Sequence, residues 1–131
     1  MSKTILSINS NKAMNYLLQT VLTDRYNYLS VEDIYTAVNE LKHNKEIKAI
    51  IFDLDFYGKE AWDFIQHIGT SKLYQKPLFV ITSDRSISMT DKILEAKVYD
   101  FFHKPFSPHD IARAIDEIII SESIESQVSL S

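Results

Sequence analysis

The 131-residue chain has no cysteine, and that absence removes disulfide frameworks, thiol nucleophiles and thiolate metal sites. Glycine is nearly as scarce. Gly58 and Gly69 stand apart, so no GxGxxG or GxxxxGK loop exists to wrap phosphates in backbone amides, and nucleotide-binding enzymes built on either loop are excluded. No stretch approaches the roughly 18 consecutive apolar residues of a membrane span. The opening "MSKTILSINSNKAMNYLL" also lacks the continuous apolar segment and small-residue cleavage site of a secretory leader. The expectation is a cytoplasmic protein with no membrane partner. Formal net charge is -4 at pH 7 and no Lys/Arg run occurs, so direct contact with nucleic acid is not expected either. The histidines, His43, His67, His103 and His109, are dispersed without the paired spacing of a metal site.

What is present is the composition of an ordinary globular domain, 45% hydrophobic and 24% charged. One domain is expected over residues 1–120, followed by a polar C-terminal tail over 121–131 with the sequence "SESIESQVSLS". Five short apolar runs read as strands: "TILSI" (4–8), "YNYLSV" (26–31), "IKAIIFDL" (47–54), "PLFVIT" (77–82) and "VYDFFH" (98–103). Between them apolar residues fall at helical spacing, as in Met14, Leu17, Leu18, Val21 and Leu22, then Ile34, Ala37, Val38 and Leu41. Ile111, Ala114, Ile115, Ile118 and Ile119 repeat the pattern after the fifth run. Asn11, then Ser86 or Ser88, then Ser107 ahead of Pro108 offer helix starts. A strand-helix unit repeated five times predicts a parallel α/β sheet covered by helices on both faces.

Ligands of an open parallel sheet bind beyond the carboxyl ends of its strands. Those ends carry Asn9 and Ser10, Asp53 and Asp55, Thr82 and Asp84, and Lys104 before Pro105. A carboxylate, a hydroxyl and an ammonium meeting at one sheet edge suit phosphoryl chemistry, with the Asp as nucleophile and the other two as partners for phosphoryl oxygens. The stretch "IIFDLDFYG" resembles the first motif of haloacid dehalogenase-type phosphatases, but those enzymes carry it on their first strand and need a later acidic pair. Here two strand-helix units precede Asp53, and "PFSPHDIARAIDEIII" supplies no strand-end acidic pair.

The resemblance that covers nearly the whole chain, from about Lys3 to Ile120, is to the receiver domain of two-component response regulators. "DLDFYGKEAWDFI" resembles the family's D-x-x-M-P-G-x-D-G, "PLFVITSD" its P-x-I-x-L-T-A, and "VYDFFHKPFSP" its A-x-D-Y-x-x-K-P-F. That resemblance implies a flavodoxin-like (βα)5 doubly wound sheet in the order 2-1-3-4-5. It implies Asp53 as phosphoacceptor, Thr82 as switch hydroxyl, Lys104 as ion-pair partner of the phosphoryl group, Phe101 as switch aromatic, and a cis bond between Lys104 and Pro105. The implied role is a single-domain receiver in phosphorelay signalling rather than an enzyme. A sensor histidine kinase or phosphotransfer protein would supply the phosphoryl group, and the surface of the fourth helix, fifth strand and fifth helix would engage a downstream protein.

The departures concern the metal. Receivers normally end the first strand with two acidic residues that bind Mg2+ together with the phosphoacceptor, and this chain has Asn9 and Ser10 there. Mg2+ prefers anionic oxygen and dehydrates reluctantly, so its site should be weakened. Asp55 lies two residues beyond Asp53 and would point to the same side if the strand continues, which makes Asp53 and Asp55 the candidates for a displaced metal. Asp84 is expected to face solvent. Tyr57, Ala61 and Lys97 replace the usual Pro, Gly and Gly, leaving bulkier loops at the site. Two readings follow: a switch phosphorylated on Asp53, or a phosphorylation-independent pseudo-receiver acting as an interaction module. The apolar "IDEIII" (115–120) either forms a homodimer surface on the last helix or buries more deeply than its neighbours.

Overall fold

The structure, a computed structural model, describes residues 3–71 and 75–130. Five strands, β1 (Thr4–Ile8), β2 (Asn27–Val31), β3 (Ile47–Asp53), β4 (Leu78–Thr82) and β5 (Asp100–His103), alternate with α1 (Lys12–Leu22), α2 (Ile34–His43), α3 (Lys59–Thr70), α4 (Ile87–Glu95) and α5 (Pro108–Leu130). All strand pairs are parallel and the order is β2-β1-β3-β4-β5, as expected of the doubly wound sheet.

Period-two alternation divides the sheet between two cores. Leu6, Ile8, Ile50, Phe52, Leu78 and Val80 pack with α2, α3 and α4 through residues such as Ala37, Phe64, Ile65, Ile68 and Ile93. Ile5, Ala49, Ile51, Phe79 and Ile81 pack on the opposite face against Met14, Leu18 and Leu22 of α1 and Ile111, Ile115 and Ile119 of α5. Each fully buried side chain of this size contributes about 1.5–3 kcal/mol. The strand ends that carry the polar residues are therefore set on a rigid base. Trp62 packs against the core cluster that holds Ile65 and Ile68, with Lys92 Nζ 5.3 Å from its ring centroid.

Local chemistry fixes the helix starts. Asn11 caps α1 by accepting from the Met14 amide, Asp33 caps α2 from the Thr36 amide, and Ser86, rather than Ser88, caps α4 from the Met89 amide. Pro108 occupies the first position of α5, where its missing N–H costs nothing.

Several bounds differ from the sequence expectation. β5 begins at Asp100 instead of Val98, β2 at Asn27 and β4 at Leu78, while β3 stops at Asp53 instead of running on to Leu54. α5 does not end near residue 120; it continues through the segment expected to be a polar tail as far as Leu130, and Ser131 lies outside the described residues. In "IDEIII" the two readings divide by residue: Ile115 and Ile119 are core, whereas Ile120 is exposed together with Ile124 one turn further on.

Candidate functional site

At the carboxyl ends of β3, β4 and β5 the fold brings Asp53, Thr82 and Lys104 together, as the spacing along the chain suggested. Asp53 closes β3 with its side chain fully buried, and Oδ2 accepts from Lys104 Nζ at 2.9 Å. Oδ1 accepts from the Asp55 amide at 2.9 Å. That second bond makes Asp53 the cap of a 3-10 turn, Leu54–Phe56, and Leu54 anchors the turn by burying its side chain.

Asp55 lies on the same side as Asp53, since Lys104 Nζ meets both, but the reason is not the expected one. Strand parity does not continue past Asp53, so Asp55 is aimed by a 3-10 turn and not by the pleat. Its side chain is only 19% exposed and meets three donors. Thr82 Oγ1 donates to Oδ1 at 3.0 Å, the Ser83 amide donates to Oδ1 at 3.0 Å and Oδ2 at 3.1 Å, and Lys104 Nζ stands 2.9 Å from Oδ2. Burial disfavours charge on Asp55, but the Ser83, Lys104 and Thr82 donors outweigh it and hold the carboxyl below its ordinary value. Burial likewise works against the Lys104 ammonium, yet its bonds to Asp53 and Asp55 keep its pKa above the usual value. Lys104 is thus shared between two carboxylates.

The Lys104–Pro105 peptide is cis, as the resemblance implied, and the Lys104 amide donates to Thr82 O at 3.0 Å. Phe101 is half-buried against the α2–α4 core and meets the His103 ring edge-on at 5.6 Å. Asp84 is exposed and bonds the Ser86 amide at 2.9 Å, which holds its carboxyl below the ordinary range. It is a turn residue, as the solvent-facing expectation had it. Tyr57 donates its hydroxyl to Glu32 O and packs its ring 5.3 Å from Phe52.

At the end of β1, Asn9 is buried and committed. Its Nδ2 donates to Ser7 Oγ at 2.9 Å and Asn15 Oδ1 at 3.0 Å, while its Oδ1 accepts from the Asn11 amide at 2.9 Å. Tyr28 and Ser30 hydroxyls also donate to Asn15 Oδ1, at 2.6 and 3.0 Å. Ser10 is exposed. Among the described residues no group of three or more His, Cys, Asp or Glu side chains is placed to hold a metal ion. Mg2+ is held by one or two carboxylates with several retained waters; here the Asn9 oxygen is spent on a backbone amide and both carboxylates of the 53–55 pair face the Lys104 ammonium, which weakens such a site. Asp53 and Asp55 remain the carboxylates that would hold a weakened or displaced Mg2+, with Asn9 and Ser10 in place of the usual acidic pair.

The Ser83 amide and the Asn15–Tyr28 network escape sequence reasoning. A backbone amide leaves no residue signature, and only the D-x-D spacing before a turn hinted that Asp55 would be re-aimed. Among the described residues no helix is long and apolar enough to cross a membrane.

The family model described as the response regulator receiver domain matches residues 5–116. A chemotaxis protein CheY homolog of Campylobacter jejuni is 20% identical over 118 residues, spanning 88% of this chain and 91% of that protein. Among solved structures, the chemotaxis response regulator CheY4 of Vibrio cholerae aligns with a TM-score of 0.76 at 15% identity, over 90% of this chain and 99% of that one. A response regulator from Thermotoga maritima aligns with a TM-score of 0.78 at 18% identity, over 91% and 98%. At these identities the structural likeness speaks for the flavodoxin-like fold.

Proposed function

The chain belongs to the response regulator receiver domain family, and we propose that it acts in two-component signalling as a cytoplasmic, non-enzymatic receiver module that engages a downstream protein without needing a phosphoryl group. The Asn9 network carries this reading. An aspartate attacking a phosphodianion meets charge repulsion that a divalent cation normally screens, and a neutral, fully hydrogen-bonded amide stands where that cation's ligands would be.

The proposed docking surface is α4, β5 and α5. Ile87 and Leu94 of α4 are 80% and 64% exposed, seven residues apart on one helix face, and Tyr99 lies just ahead of β5. Ile120 and Ile124 are the candidates for the expected homodimer contact on α5.

A second reading has its own support in the 2.9 Å Lys104–Asp53 pair beside Thr82. In it, Asp53 Oδ attacks phosphorus on a phosphohistidine of a sensor kinase or phosphotransfer protein. An acyl phosphate forms, the P–N bond breaks, and the histidine keeps the electron pair.

Cross-linking capture from the source organism separates the two. Wild type and Asp53→Asn are expected to capture the same protein equally, and Leu94→Asp to lose it. Capture that depends on Asp53 and a phosphodonor would favour the second reading.

A further inference from the structure

Three donors at this site have the geometry of an oxyanion cradle: the Lys104 ammonium, the Thr82 hydroxyl and the Ser83 amide, from the ends of two adjacent strands. Lys104 also bonds Asp53, the carboxylate on which a phosphoryl group would be carried. In this chain each of them already bonds one anion, Asp55, whose two oxygens receive all three.

We propose that the Asp55 carboxylate is the built-in occupant of the phosphoryl-oxygen position, holding Thr82, Ser83 and Lys104 in their anion-bound arrangement and closing the cradle to any phosphoryl group. The inference rests on the phosphorylation-independent reading above and names its regulation: the switch is set by the sequence.

Three features support it. The occupant is aimed by the phosphoacceptor position itself, because Asp53 caps the turn that presents Asp55. Thr82 is buried and doubly engaged, donating to Asp55 and accepting from the Asp84 amide at 3.0 Å, so the loop into α4 is tied to the same anion. Lys104 joins this anion to β5, and Phe101 on that strand packs inward among α2–α4 core residues. A carboxylate is planar and carries one charge, so it satisfies the three donors without the excess charge of a phosphodianion.

Removing the occupant should reopen the cradle. The test is a 1H–15N titration with inorganic phosphate of wild type, Asp55→Ala and Asp55→Asn, the last keeping the shape while withdrawing the charge. Wild type is expected not to respond. Both variants are expected to displace the Ser83 amide resonance, and phosphate to return it toward its wild-type position in a saturable way, with Phe101 following. A Ser83 amide unmoved in Asp55→Ala and Asp55→Asn, or a wild-type response to phosphate equal to the variants', would overturn the inference. Failure of the underlying reading looks different: a phosphoryl group covalently attached to wild-type Asp53 overturns that reading whatever the Ser83 amide does.

Discussion

Lys104 Nζ lies 2.9 Å from Asp53 Oδ2 and 2.9 Å from Asp55 Oδ2, so one ammonium is the shared counter-charge of two carboxylates, the first of them fully buried. Removing it leaves a buried carboxylate without its counter-charge, which costs far more than an exposed ion pair is worth. Lys104→Met is expected to destabilise the fold by about 2–3 kcal/mol, less than a fully buried pair would because water reaches the lysine. Adding Asp53→Asn should recover most of that loss. Urea unfolding of the single and double variants measures it, and a double variant no more stable than Lys104→Met would contradict the pairing.

Lys97 adopts a φ of 60°, the left-handed region, at the turn between α4 and β5 where the resemblance led us to expect glycine. A side chain there crowds its own carbonyl, a strain of about 1–2 kcal/mol that glycine does not feel, partly offset by glycine's greater freedom when unfolded. Lys97→Gly is expected to raise stability by about 0.5–1 kcal/mol, read as an upward shift in Tm.

Burial pushes the Tyr28 phenol up to about 12, with the polar contacts to Ser7 and Asn9 pulling the other way. In the unfolded chain the same group ionises near pH 10. Between pH 10 and 12 the native state therefore holds a proton that the unfolded state has lost, and stability falls as pH rises through that window. Tyr28→Phe should flatten the fall. It should not abolish it, because Tyr26, also raised to about 12 by burial and its bond to Asp116, titrates in the same sense. Unfolding free energy measured at steps between pH 9 and 12 checks both statements.

Strand runs and helical stripes were enough to read the five-unit architecture. Asp53, Thr82 and Lys104 meet at one edge because the first two end parallel strands and the third directly follows one, and parallel strands end together. What the sequence hid lay one step past those ends. Strand parity predicts the side on which Asp55 lies but not its partners, because hydrogen bonding from its own amide to Asp53 converts the next residues into a 3-10 turn, where parity loses its meaning. The fate of Asn9 was equally hidden. Its loss of charge was visible, whereas its bonds to Ser7, Asn15 and the Asn11 amide depend on how β1, α1 and β2 come together. The residues past 120 read as a tail from their polarity, although a single-sided contact needs few apolar residues to continue a helix that Ile111, Ile115 and Ile119 already anchor.

The most direct measurement is the intact mass of the wild-type protein after incubation with a small-molecule phosphodonor, with and without Mg2+, beside Asp53→Asn. With Asp55 filling the cradle and a neutral Asn9 at the end of β1, no mass increase is predicted for either protein under either condition. A gain of one phosphoryl group by wild type that disappears in Asp53→Asn would contradict phosphorylation independence.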